Sequence, residues 1–216
     1  MPSRTERAGN GDEAGRVAGD LRLLTAGAED RAARAAERLA EGAERAGLAD
    51  VLYARTDSPI GTLLVAVSRH GLVRVAFPEE TDVEQDLADT VSPRILHSLW
   101  ATQDVRRELD EYFDGLRHRF DVPVDLSGVH GFTRKVLRAT TRIPFGSVLT
   151  YTQVAGKAGN RRASRAAGNA LHANPIPIVV PCHRVVRTGG GLGGYGGTLP
   201  RKVALLKLEG ALGEDG

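Results

Sequence analysis

The chain contains one cysteine, Cys182, in 216 residues. That excludes an internal disulfide and any zinc site built on several cysteines. It makes the reducing cytoplasm the expected compartment, where a free thiol survives. No apolar run approaches the roughly 20 residues that a bilayer-spanning helix needs, so no membrane association is expected. The opening stretch "MPSRTERAGNGDEAGR" lacks the apolar segment of a secretory signal. Carboxylates are scarce in one place only. Between residues 131 and 209 there is a single acid, Glu209, against 13 lysines and arginines. Residues 1–50 carry 8 basic and 10 acidic groups, and residues 51–130 carry 8 and 14, so a net charge of +2 conceals a division. A nearly acid-free block of this length is the electrostatic footprint of a polyanion partner, most simply nucleic acid.

The length allows one large or two small domains with a real core. Residues 1–20 show no periodicity and are expected to be disordered. Residues 21–48 are rich in Ala, Arg, Glu and Leu and predict a helix, with Asp30–Arg34 and Glu41–Arg45 in the favourable acid-first order. At Val51 the texture changes. Two apolar, β-rich runs, 62–67 and 72–77, flank "SRHG", which predicts a hairpin with Gly71 closing the turn. "SPRILHSLWATQDVRRELDEYFDGL" predicts a helix with Ser92 as N-cap and Pro93 in its first turn, with Leu99, Val105, Leu109, Tyr112 and Phe113 on one side. Nothing in residues 51–125 looks like chemistry. His70, His97 and His118 lack ligand spacing and read as surface histidines.

From Gly131 the pattern is helical, with Phe132, Val136 and Leu137 recurring, and "IPFG" (143–146) is a turn. Thr150 and Gln153 have capping-box spacing, so a helix should start near Tyr151. "AGN" (158–160) breaks it, and a second helix is expected from about Arg161 to His172. Two short helices joined by a Gly-containing turn in the basic block read as a helix-turn-helix. In the second helix Ala163, Ala166, Ala167, Gly168 and Ala170 are all small. Such a helix can lie close to another backbone, protein or DNA, with Arg161, Arg162 and Arg165 as cationic contacts.

Cys182 follows "NPIPIVVP", which predicts a short strand over Ile176–Val180, ended by Pro181, with the thiol at the strand's mouth. A lone cysteine is by default an inert buried thiol. Here His183 is adjacent, and Glu209, the only acid of the block, lies in a helical "RKVALLKLEG". A proton acceptor and cationic surroundings lower a thiol's pKa, so an activated nucleophile is the alternative. "RTGGGLGGYGG" (187–197) holds seven glycines around Leu192 and Tyr195. It is no Walker loop, and it reads either as a flexible loop or as a cover over a flat ligand.

"PCHRVV", preceded by "NPIPIVV" and followed by "GGYGG" and "LLKLEG", resembles the O6-alkylguanine-DNA alkyltransferases, the methylated-DNA–protein-cysteine methyltransferase family. The resemblance runs through residues 131–210 and is weaker over 51–125. It implies three parts: an N-terminal extension (1–50), an α/β, RNase H-like domain (51–127), and a mostly helical, winged-helix-like domain with the helix-turn-helix (128–216). It implies direct reversal of DNA damage, in which Cys182 takes the alkyl group from O6 of guanine once and irreversibly, and O4-methylthymine is a second candidate substrate. His183 would accept the thiol proton through a water and Glu209 would polarise His183. Tyr151 would donate to the base and press on the target phosphate. The Gly196 amide, beside Tyr195, would bond O6, and the carbonyls of Cys182 and Val185 would take the exocyclic amine. Asn174 would tie the second helix to the active-site strand. Arg165 would replace the flipped base, while Arg161, Arg162, Ala166, Gly168 and His172 would meet DNA. No cofactor or metal is implied. The expected partner is duplex DNA carrying O6-alkylguanine, bound by a monomer.

Overall fold

A computed structural model of the chain describes residues 10–79, 82–195 and 198–213, with side chains from Gly27 onward except Glu29. A long helix, α1 (Asn10–Arg45), leads into the first strand. It begins ahead of the predicted residue 21, so the expectation of disorder fails for residues 10–20, while residues 1–9 lie outside the described residues. The Arg34–Asp30 and Arg45–Glu41 pairs form at 2.6 and 3.2 Å. Glu37 anchors the helix, receiving the Ser98 hydroxyl at 2.8 Å and the Leu99 amide.

Strands β1 (Val51–Thr56), β2 (Leu63–Ser68) and β3 (Gly71–Ala76) run antiparallel in succession. After α2 (Val83–Thr90), capped by Asp82, the short β4 (Ile95–His97) pairs in parallel with β1, giving the order β3-β2-β1-β4. β2 is apolar at consecutive positions because both of its faces are covered. Leu63 and Val65 face Val105, Leu109 and Tyr112 of α3 (Gln103–Phe113), whereas Leu64 and Ala66 join Val83 and Leu87 of α2. The period of two in the strand thus divides its side chains between two packing layers. Helix α3 starts at Gln103, not at Pro93. Residues 95–97 satisfy the open edge of β1 instead, and a parallel ladder outcompetes the helical spacing read from sequence. His70, His97 and His118 are exposed, as expected.

The β2–β3 hairpin holds the connection to the second half. Gly71 sits at φ +128°, and a Cβ added there would fall 2.4 Å from the Pro123 carbonyl oxygen. The next residue, Leu72, exchanges hydrogen bonds with this segment: Leu72 N to Pro123 O at 2.8 Å, and Asp125 N to Leu72 O at 2.9 Å.

The second half is α4 (Gly131–Thr140), β5 (Leu149–Thr150), α5 (Tyr151–Lys157), α6 (Ser164–His172), a single 3-10 turn at Cys182–Arg184, β6 (Val185–Val186) and α7 (Leu199–Leu208). The capping box forms as predicted, Thr150 and Gln153 each receiving the other's amide. Helix α6 starts three residues late, so Arg161 and Arg162 lie in the turn before it. The small residues of α6 do not share one surface: Ala167 and Ala170 are core, while Ala166 is exposed. One core joins Leu63 and Val65 of the sheet to Val136, Leu137, Val154 and Leu205 of the helices. At its border Val75 N of β3 bonds Pro175 O at 3.0 Å, and the Arg201 guanidinium lies 3.7 Å over the Phe77 ring.

Gly71→Ala is expected to lower the unfolding free energy by about 1–3 kcal/mol, since the new Cβ collides with backbone at a positive φ. Urea titration checks this, and an unchanged midpoint would contradict it.

Candidate active site

Glu209 caps the C-terminus of α7 and is buried, yet its carboxylate is fully engaged. Oε1 accepts from Tyr112 Oη at 2.7 Å, His183 Nε2 at 2.8 Å and Arg184 Nη2 at 2.8 Å. Oε2 accepts from Arg184 Nε at 2.8 Å and from the Gly146 amide at 3.3 Å. Arg184 spends its third nitrogen, Nη1, on Ile143 O at 2.6 Å. Although burial alone would raise it, these donors hold the Glu209 pKa down at about 2. An ionised carboxylate can only accept, so His183 Nε2 must carry a hydrogen. Burial, the largest influence, pulls the His183 pKa below its ordinary value. The ring is therefore neutral near pH 7 and its proton is on Nε2. Its other nitrogen, Nδ1, is buried and has no hydrogen-bond partner among the described residues. A proton acceptor is thus held one residue from the cysteine.

Cys182 opens the 3-10 turn. The predicted strand at Ile176–Val180 is absent. Those residues form tight turns, with Val179 N to Pro177 O at 3.0 Å, Val180 N to Ile176 O at 2.8 Å, and Ile178 at φ +74°. Pro177 cannot donate to a ladder, and the Val179 and Val180 amides are satisfied within the turns. The thiol is consequently presented by a turn and not at a strand's mouth. Asn174, just after α6, fixes it: Nδ2 donates to Val180 O at 2.8 Å and to Cys182 Sγ at 3.1 Å, while Oδ1 accepts from Ile176 N at 3.1 Å. Burial pushes the Cys182 pKa up to about 11, against the smaller opposing effects of Asn174 and Lys202. The resting thiol is protonated.

Lys202 of α7 is fully buried. Its Nζ donates to Val185 O at 2.6 Å, Leu192 O at 2.5 Å and Gly194 O at 3.4 Å, pinning the glycine-rich loop to β6. Burial pulls its pKa down to about 8. Tyr151, the first residue of α5, donates its hydroxyl to Gly194 O at 3.1 Å. The loop passes so close that a Cβ on Gly193, at φ +72°, would fall 2.8 Å from that hydroxyl.

A cavity of about 460 Å³ opens over Cys182, and Tyr151, Arg165, Gly168, His172 and Tyr195 are among the residues that line it. The structure thus brings six of the residues singled out from sequence to one cavity. His183, Glu209 and Val185 lie buried behind it. Arg161, Arg162 and Ala166 are exposed but do not line it. Gly196 lies outside the described residues. Three contributors were missed. Arg184 was in plain view as the residue after His183. Lys202 sits about two helical turns before Glu209. Tyr112, in the stretch 51–125 where nothing looked like chemistry, reaches the Glu209 carboxylate with its hydroxyl; it was missed because its pattern is that of a core aromatic and its partner is remote in sequence. Among the described residues no group of three or more His, Cys, Asp or Glu side chains could hold a metal.

Comparison with known proteins matches residues 51–126 to the ribonuclease-like domain of 6-O-methylguanine DNA methyltransferase, and residues 131–211 to its DNA-binding domain. Residues 1–50 lie outside both spans. A methylated-DNA–protein-cysteine methyltransferase of Mycolicibacterium paratuberculosis is 40% identical over 157 residues, covering 73% of this chain and 91% of the relative. One of Methanosarcina acetivorans is 39% identical over 160 residues, covering 74% and 98%. Among solved structures, Mycobacterium tuberculosis OGT in complex with DNA aligns with a TM-score of 0.64 at 36% identity, over 74% of this chain and 93% of that one. With its ribonuclease-like sheet domain, its DNA-binding helical domain and relatives at this identity and coverage, the chain belongs to the methylated-DNA–protein-cysteine methyltransferase family.

Proposed function

We propose that the protein repairs DNA by moving the alkyl group of O6-alkylguanine onto Sγ of Cys182, once per molecule. One observation carries the reading: Cys182 lines a cavity with residues of α6, while the ring of its neighbour His183, polarised by Glu209 at Nε2, offers an Nδ1 with no hydrogen-bond partner among the described residues. In this reading residues 51–127 support the site, residues 128–216 bind DNA and accept the group, and residues 1–50 are an extension. The exposed Arg161, Arg162 and Arg165 have no carboxylate partner among the described residues, which suits phosphate contact. The α5–turn–α6 pair serves as the helix-turn-helix, and Gly168 and Ala166 allow α6 to approach the duplex.

The target atom is inaccessible in stacked DNA, so the nucleotide leaves the helix at a cost of a few kcal/mol, and Arg165 fills the gap. The cavity is of a size for one base. The thiol proton passes by way of water to His183 Nδ1. The S–C bond forms as the C–O bond breaks, and the guanine leaves as its anion. Tyr151 protonates the base, and its phenolate recovers the proton held on His183 through solvent. Val185 O keeps one lone pair beside its bond to Lys202 for the exocyclic amine. The product is a thioether, which no nearby group is placed to hydrolyse, so the reaction is stoichiometric. O4-methylthymine, with an alkyl group on an equivalent oxygen, is a second substrate of this site. A thiol protonated at rest reacts slowly with oxidants, which disfavours a redox-sensing role for Cys182.

Intact-mass analysis after incubation with an O6-methylguanine duplex should show one added methyl, mapped to the Cys182 peptide, and restored guanine. Cys182→Ser should bind the duplex but gain no mass. A wild-type protein that binds without gaining mass would overturn the reading. Arg165→Ala should slow transfer from duplex by about tenfold or more, in line with a flipping cost of a few kcal/mol, and leave transfer from free O6-alkylguanine base nearly unchanged. Equal losses would contradict a base-replacing role. Alkylation of the free protein by iodoacetamide should accelerate with pH up to an inflection near 11. An inflection near the ordinary thiol value of about 8.5 would show that burial does not control the thiol.

A further inference from the structure

The sheet domain reaches the reaction centre through one hydroxyl. Tyr112, near the end of α3, is fully buried, and its ring packs at 5.3 to 6.1 Å between centroids against Phe113, Phe120 and Phe145. Its Oη donates at 2.7 Å to Glu209 Oε1, the oxygen that also accepts His183 Nε2 at 2.8 Å. Glu209 cannot turn without breaking this bond, and Tyr112 cannot turn without disturbing three aromatic contacts. Arg184 Nη2 is the third donor to this oxygen, at 2.8 Å, and the three compete for its electron density. Each bond that Tyr112 strengthens therefore weakens the pull of Glu209 on the imidazole proton.

We propose that Tyr112 is a positioning residue for alkyl transfer, which fixes the Glu209 carboxylate and, by drawing charge from Oε1, keeps His183 neutral and ready to accept the thiol proton. The inference rests on the reading of His183 as the proton acceptor. The charged and titratable groups that face His183 are Glu209, Arg184 and Lys202, with Cys182 adjacent in sequence. Arg184 and Lys202 disfavour the imidazolium, and Glu209 favours it. Tyr112 makes no hydrogen bond to His183; it moderates the one group that favours its protonation. Removing the hydroxyl leaves more charge on Oε1, stabilises the imidazolium and raises the His183 pKa. Transfer then fails at a higher pH on the acid side, because protonated His183 has no lone pair on Nδ1.

The test is the single-turnover rate of methyl transfer from an O6-methylguanine duplex, followed from pH 5 to 9 on the full chain. Tyr112→Phe should lower the rate by roughly tenfold near neutral pH, as expected for the loss of a hydrogen bond to a charged group, and move the acid limb of the profile to higher pH. Replacing Tyr112 with 3-fluorotyrosine keeps the ring and the packing and makes a stronger donor, so the acid limb should move to lower pH. Opposite displacements in the two variants support the proposal. An acid limb that stays put in the fluorotyrosine protein, or a slower Tyr112→Phe protein with an unmoved limb, would overturn it and leave Tyr112 a packing residue. If the unaltered protein transfers no methyl group at any pH, the proposed function itself fails, an outcome distinct from either.

Discussion

The site depends on burying one carboxylate. Removing an ionised carboxylate from water costs several kcal/mol even after relaxation, and only good hydrogen-bond geometry offsets it. Glu209 meets that condition with four donor residues from three separate segments: Tyr112 from α3, Gly146 from the turn before β5, and His183 and Arg184 from the 3-10 turn, all gathered at the end of α7. Such a centre tolerates no partial assembly, because an unpaired buried charge costs about 3–5 kcal/mol. The two halves of the chain therefore have to be packed together for the site to exist. The same constraint fixes the proton on His183 at Nε2 and leaves Nδ1 as the ring nitrogen able to accept one.

Burial sets the chemistry of the thiol in the same way. A cysteine activated only by cations would be a thiolate at rest and would react with any small electrophile that entered. Here desolvation outweighs Asn174 and Lys202 and keeps the resting thiol protonated; in the proposed reaction, substrate brings proton transfer and alkyl transfer together. Neighbouring bonds hold its surroundings still. Asn174 ties the end of α6 to the sulfur, and Lys202 ties the glycine-rich loop to β6, so α6, the loop and Cys182 are held together around one cavity.

Local chemistry made much of this legible from sequence. The capping box at Thr150 and Gln153, the turn at Gly71 and the acid-free block with Glu209 each act over a few residues, or through composition, and each corresponds to something in the structure. The failures have a common cause. Ser92 and Pro93 looked like a helix start, but the open edge of β1 claimed residues 95–97. "PIPIVV" looked like a strand, but prolines left few amides for a ladder, and turns took those of Val179 and Val180. Tyr112 was seen as a core aromatic and its hydroxyl was overlooked, since its partner lies 97 residues away. Partners so distant in sequence leave no local periodicity, and only the assembled core reveals them.

The central claim is that Glu209 holds a neutral His183 with its proton on Nε2 and its lone pair on Nδ1, beside Cys182. Long-range 1H–15N correlation of the histidine rings near pH 7, with the His183 signals assigned by substitution, tests it most directly. A protonated Nε2 and an unprotonated Nδ1 are expected. A doubly protonated ring, or a proton on Nδ1, would contradict it.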